Sequence, residues 1–298
     1  MKTKLSALFA ITALTHLGLA PLAWAQSDPR ANRGLVGKIY VAESKGSTQI
    51  MANGRIYAGE QSASYPAPGT IIETKAESHG AFVYSNGTGM FVDQNTRVEI
   101  GLFTQEPFPS ARPSTAGPGS APVSQSSVHL VRGGVAICVG ETVAGSSMVY
   151  TTPEALITIR QGKVVIRSSN QKTTVDLLEG DVTVRLGEQD PGGQILRPGD
   201  RATVGAGPDG KTRVITLSPS PSETVRALDD SAVVACNARK TVSFSAIARN
   251  GNQAAGGGAD DSDPAAGAGQ EIVANPAVPL NPPSNITVSP DRLPGGTP

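Results

Sequence analysis

Between Gly34 and Leu217 the sequence is a succession of short β-prone runs separated by turn signals, with almost no apolar spacing at helical period. A chain written this way buries alternate residues of many short strands, so an all-β fold is expected. Leu35-Val36-Gly37-Lys38-Ile39-Tyr40-Val41 is one such run, and Thr48-Gln49-Ile50-Met51 and Arg55-Ile56-Tyr57 flank Asn53-Gly54, a two-residue hairpin signal. Thr70-Ile71-Ile72-Glu73-Thr74 and Ala81-Phe82-Val83-Tyr84 follow, then the turn Ser85-Asn86-Gly87-Thr88, Gly89-Met90-Phe91-Val92 and Thr96-Arg97-Val98-Glu99-Ile100. In the last run Val98 and Ile100 are expected on one face with Arg97 and Glu99 opposite, because successive strand side chains alternate.

A Pro/Ser/Gly-rich segment at 107–127 interrupts the strands and reads as an exposed loop, since it lacks the apolar residues that would offset its ordering entropy. A second block of short runs follows from Ser127 to Ile215. Their regular spacing and Gly turns predict a β-solenoid or β-roll, in which each coil buries its inner face on the next. After Pro221 the period changes. Ser222 reads as the cap of one amphipathic helix with Val225, Leu228, Ala232 and Cys236 on a shared face, followed by a short strand around Val242 to Ala246. The β domain is thus expected over 34–217, the docked helix and strand over 218–249, and a disordered Gly/Ala/Pro-rich tail over 250–298.

At the amino terminus Lys2 and Lys4 precede an apolar stretch from Leu5 to Leu19, then Pro21 and Ala23-Trp24-Ala25. This is the pattern of a secretory signal peptide over 1–25, cleaved after Ala25. No later segment approaches the roughly 20 apolar residues of a membrane helix, so no transmembrane segment is expected after cleavage. The chain is expected in the periplasm, outside the cell or in the envelope. Its acidic and basic residues balance, 25 of each, and the Lys and Arg are scattered singly, which argues against a nucleic-acid partner. The two cysteines, Cys138 and Cys236, are a candidate disulfide in an oxidising compartment; each also suits a small buried apolar position.

Catalytic and cofactor patterns are weak. Gly205-Ala206-Gly207-Pro208-Asp209-Gly210-Lys211-Thr212 satisfies a phosphate-loop pattern, but the strand Arg213-Val214-Ile215-Thr216-Leu217 and then Pro219 follow it. A phosphate loop needs a helix amino terminus there, so a Pro-Asp-Gly turn between antiparallel strands is the better reading. His79 and His129 stand in no ligand spacing to each other or to the cysteines, so no metal site is expected. No Gly-x-Ser-x-Gly elbow is present, and Glu179-Gly180-Asp181 reads as a turn. The expectation is a non-enzyme without a cofactor.

Gly69-Thr70-Ile71-Ile72-Glu73-Thr74, Val83 to Thr88, Asn95 to Ile100, Thr152-Pro153-Glu154-Ala155, Ile159 to Gly162, Leu178 to Val184 and Leu196-Arg197-Pro198-Gly199-Asp200 together resemble the FecR family in strand-and-turn order, over about Gly34 to Val204. The resemblance implies a β-rich, solenoid-like extracytoplasmic module. In the best-known members that module follows a membrane helix and a cytoplasmic anti-sigma segment and relays a signal from an outer-membrane iron-siderophore receptor. Here a cleavable signal is expected in place of both parts.

Two functions follow from this reading: a binding or sensing module that meets an envelope protein or glycan, and a structural or surface-assembly component. A glycan hydrolase would need an acidic cleft that the sequence does not reveal. For the binding module Phe103 and Phe108, beside the proline-rich loop, are the candidate exposed anchors, while Tyr84 and Phe91 read as core.

Overall fold

The computed structural model describes residues 34–108, 122–210, 212–248 and 270–277. The expected signal peptide, the middle of the Pro/Ser-rich segment and most of the carboxy-terminal tail lie outside the described residues. Sixteen strands form one sheet: β1 (Leu35–Val36), β2 (Lys38–Lys45), β3 (Thr48–Ala52), β4 (Arg55–Ala58), β5 (Ser64–Pro66), β6 (Ile71–Thr74), β7 (His79–Tyr84), β8 (Gly89–Val92), β9 (Arg97–Gln105), β10 (Ser124–Val139), β11 (Ser147–Thr151), β12 (Leu156–Ser169), β13 (Lys172–Arg185), β14 (Gln194–Leu196), β15 (Asp200–Ala206) and β16 (Arg213–Pro219). One helix, α1 (Ser222–Ala238), and a separate pair, β17 (Val242–Ala248) with β18 (Gln270–Pro276), complete the fold.

The pairing folds this sheet onto itself in two layers, because β10, β12 and β13 belong to both. The second half of β10 pairs with β8 and β12, its first half with β9 and β11. β12 and β13 divide in the same way, β13 meeting β15 through 173–176 and β14 through 182–184. The first layer therefore runs β16-β15-β13-β12-β10-β8-β7-β2-β5, and the second β14-β13-β12-β11-β10-β9-β6-β3-β4, with β1 on β9. The ladders slip near each corner, between Leu130 and Arg132 and on both sides of Gly162. Strand breaks of this kind re-aim a strand from one layer into the next.

One apolar core fills the space between the layers, from Ile39, Phe82, Tyr84 and Met90 on one side to Ile72, Val98, Ile100 and Tyr150 on the other. The Tyr84 and Tyr150 hydroxyls both meet Met90 Sδ, at 3.6 Å, across it. The outer face of the first layer is buried as well. α1 sets Leu228 and Ala232 on Ala136 and Val165. β17 and β18 set Val242, Phe244 and Ile272 on Tyr40, Ala42, Ala81 and Val83. This double burial explains the continuous apolar runs Ala81-Phe82-Val83-Tyr84 and Val135-Ala136-Ile137-Cys138-Val139, whereas second-layer strands such as Arg97-Val98-Glu99-Ile100 alternate strictly. A disulfide joins Cys138 to Cys236, with Cα atoms 5.1 Å apart, and ties β10 to α1.

All-β with one helix describes the fold. Stacked coils pair their strands in parallel, whereas β10–β11 is the one parallel pair among those described, so the pairing gives two facing layers. Three expectations change in detail. Pro221 occupies the N-cap of α1 without a side-chain cap, and the buried stripe is Leu228, Ala232, Ala235 and Ala238, with Val225 exposed. β10 already begins at Ser124, because its first residues pair with Gln105 to Leu102, so the loop is shorter than 107–127. Gln270–Pro276, within the segment expected to be disordered, pairs with the whole of β17, and Ile272 supplies the apolar contact that holds it.

Candidate functional site

The two outer faces of the sandwich differ. The first layer's is covered by α1 and β17–β18 over β2, β7, β8, β10 and β12, while no described element covers the second layer's. Register places two rows of side chains across that bare face. One runs from Ile56 through Met51, Ile71, Glu99, His129 and Thr151 to Leu156. The other runs from Leu102 through Ser127, Val149, Thr158 and Thr183 to Ile195. Ile56, Leu102 and Ile195 are exposed, at 68%, 46% and 71%. An aliphatic and hydroxyl-bearing sheet face suits a protein surface.

Charge is concentrated at one side of the face. Glu73 receives Lys75 Nζ at 3.3 Å, Arg97 at 3.3 Å and Arg132 at 2.6 Å, and Arg97 also reaches Glu99 at 2.8 Å. Partial burial raises the Glu73 carboxyl pKa, but hydrogen bonds and charge from Lys75 and Arg132 outweigh it and hold the group below its usual range. Three cations against the two carboxylates Glu73 and Glu99 leave one net positive charge at this corner, next to the row that holds Ile71.

Phe103 is not an exposed anchor. It is fully buried, its ring 5.2 Å from that of Tyr84, and Gly37 leaves room for it: a Cβ there would fall 1.6 Å from the Phe103 ring. The cause is a bulge between Ser127 and Val128 that sets Gly101 and Leu102 both outward, so alternation shifts by one and Phe103 turns in. Phe108 is half-buried against the cluster under β17–β18. Tyr84 is core and Phe91 packs partly buried near α1. Sequence reading missed Leu102 and Ile195 as surface residues; Leu102 becomes legible only when the bulge is known.

Elsewhere several buried polar side chains are engaged structurally. Asp176, fully buried, accepts Arg201 Nε at 2.7 Å and Nη2 at 3.0 Å and the Ser220 hydroxyl at 2.7 Å. Thr173 donates to the buried Glu154 carboxylate at 2.7 Å. His79 approaches Glu43 at 3.7 Å on the first layer, while His129 meets the Thr151 hydroxyl at 3.0 Å on the second, so the two histidines share no site. Among the described residues no group of three His, Cys, Asp or Glu is placed to hold a metal ion. The phosphate-loop pattern is the β15–β16 turn: Gly207 N–H donates to the Thr212 carbonyl at 2.7 Å, and Asp209 accepts the Thr212 N–H at 2.9 Å. The crevice beneath α1, lined by Asp93, Gly134, Val165, Arg167 and Ser231, has no room for a ligand.

The sequence profile of the FecR protein family matches residues 70–183, from the turn before β6 through β13, the strands that build most of both layers. Residues 70–183 match a FecR domain. Two crystal structures of a candidate anti-sigma factor from Parabacteroides distasonis ATCC 8503, at 2.50 and 1.65 Å resolution, are similar to the chain at 15% and 14% identity, both with a TM-score of 0.38. Each similarity covers 53% of this chain and 62% or 63% of the other, so the chain spans about three-fifths of the length of those proteins. No curated protein matches the sequence. The bare face of the second layer lies largely within the FecR domain, whereas α1 and β17–β18 lie beyond it.

Proposed function

We propose that this chain is a non-catalytic, extracytoplasmic FecR-domain module that binds or senses an envelope protein through the outer face of its second layer. The observation that carries this is the asymmetry of the sandwich: one outer face is largely covered by the chain's own α1 and β17–β18, and the other leaves Leu102 and Ile195 exposed in one row and carries a cationic corner where β6, β9 and β10 meet. An exposed aliphatic face rimmed by charge fits a partner protein. Export is supported by the amino-terminal pattern and by the Cys138–Cys236 disulfide, which persists in oxidising compartments. No helix among the described residues is long and apolar enough to cross a membrane.

The test is photocrosslinking in intact envelopes with a benzoyl-phenylalanine at position 102 and, as a control on the covered side, at Val233 on the solvent side of α1. One envelope protein should be captured from position 102, and Ile195→Asp should abolish the capture while thermal stability holds. Equal capture from both positions, or capture insensitive to Ile195→Asp, overturns the reading.

A further inference from the structure

We infer that the free edge of β16 pairs with β16 of a second copy of this chain, joining two first layers into one continuous sheet.

Among the described residues the two layers end in four terminal strands, three of them blunted, and β1, only two residues long, pairs with β9 alone. β5 has three residues and ends in Pro66, β14 has three and runs into Arg197-Pro198, and β4 has four and opens with Arg55. Short strands, prolines and charges are the usual protections of an edge. β16 also opens with an arginine and ends in a proline, but it is longer, seven residues, and Val214 to Ser218 between those ends carry neither charge nor proline.

The backbone phase of this edge follows from its ladder. Gly207 N–H donates to Thr212 and Ser220 N–H to Gly199, so Thr212, Val214, Thr216, Ser218 and Ser220 turn their polar groups toward β15. Arg213, Ile215 and Leu217 turn theirs outward, unpaired within the sheet.

The side chains name the occupant. Ile215 and Leu217 lie opposite Val204 and Ala202 and face the core side. The second layer reaches one strand past β13, to β14, while the first reaches two, to β15 and β16. β16 therefore overhangs, and Leu217 is left 42% exposed on a face that is core everywhere else. The strand is also self-complementary about Thr216. A two-fold axis there sets Ile215 against Leu217 of the second copy, in both directions, and so closes the apolar face. It sets Arg213 against Pro219, at the ladder's end, where only the proline carbonyl is required. Without Lys2 and Lys4 of the expected signal peptide, 23 basic and 25 acidic residues remain, and so small a net charge adds little long-range repulsion between copies. One strand edge buries less than the roughly 1,000 Å² of a firm assembly, so a dissociation constant on the order of micromolar is expected.

Sedimentation velocity at about 100 µM, above that range, should show a dimer. Leu217→Pro removes an outward N–H and leaves the β15 ladder whole, so it should yield a monomer with unchanged circular dichroism. Thr216→Cys reports the register: a non-hydrogen-bonded antiparallel pair has Cα atoms about 4.5 Å apart, within disulfide reach, and oxidation should give a covalent dimer. A monomer at that concentration, a Leu217→Pro chain that still dimerises, or a failed Thr216→Cys crosslink overturns the inference. So does a monomer whose Ile215 and Leu217 amides resist hydrogen exchange, which would give the edge to a segment of the chain itself.

Discussion

Gly162 on β12 and Gly180 on β13 lie directly opposite each other at the corner where both strands leave one layer for the other. Their φ angles are 111° and 101°, and a Cβ on either would fall 1.8 or 2.0 Å from the other strand's carbonyl oxygen, that of Glu179 or Gln161. Neither the conformation nor the space admits a side chain. Gly162→Ala or Gly180→Ala should cost about 3 kcal/mol or more, from backbone strain plus displacement of the facing strand. Urea unfolding of the two variants measures this, and a loss under about 1 kcal/mol would contradict the corner geometry.

Asp176 is held by Arg201 and Ser220 where the first layer meets the turn into α1. Its carboxylate is wholly removed from solvent, so removing its cation leaves a buried charge uncompensated. Arg201→Leu should destabilise by about 3–5 kcal/mol, and adding Asp176→Leu should restore most of the loss. If the double variant is as unstable as the single one, packing of the Arg201 stem, rather than its charge, is what matters at this position.

The local grammar of this fold is largely written in the sequence. Asn53-Gly54 turns β3 into β4 with both residues at positive φ, Val98 and Ile100 point inward as their alternation requires, and the period change after Pro221 marks α1. The layer order was not legible, because it depends on three strands shared between layers, a pairing between residues far apart in sequence. Phe103 shows the same limit within the candidate site. Strict alternation from Ile100 would put Leu102 inside and Phe103 outside, and a bulge formed against Ser127 and Val128 reverses both. Gln270–Pro276 was hidden for another reason: the short apolar run Ile272-Val273-Ala274, between polar Gln270-Glu271 and Asn275-Pro276, reads as tail until β17 supplies a partner.

Tyr84 and Tyr150 carry their hydroxyls into the core, where burial raises both pKa values above the ordinary value of 10.0. Each tyrosine is neutral when folded and ionises when unfolded above pH 10, so the unfolded chain binds fewer protons there. Stability is therefore unaffected below about pH 10 and falls as pH rises above it toward the folded pKa. Tyr150→Phe should leave neutral-pH stability within about 1 kcal/mol, since a buried hydroxyl on a thioether contributes little. It should also raise the alkaline unfolding midpoint. Melts at pH 7 and pH 11 check both points; an unchanged alkaline midpoint would mean that Tyr150 is not withheld from ionisation.

Cys138 and Cys236 join β10 to α1 across a sequence separation of 98 residues. The rest of the helix's buried stripe is Leu228 and three alanines, which bring little apolar area, so the helix depends on the crosslink more than a leucine-rich one would. A loop of this length implies about 4–5 kcal/mol of stabilisation through restriction of the unfolded chain. Cys236→Ser should therefore lower stability by a large part of that amount. The folded state should respond locally as well, with faster amide exchange in α1 and in β17 and β18, which follow it in the chain, while Ile137, Val164 and Ile166 between the layers stay protected. Loosening confined to α1, β17 and β18 would expose Tyr40, Ala81, Val83 and Val165 on the first layer and remove the asymmetry that leaves the second layer as the binding face. A reduced chain that keeps both its melting temperature and its α1 protection would show instead that packing alone holds the helix.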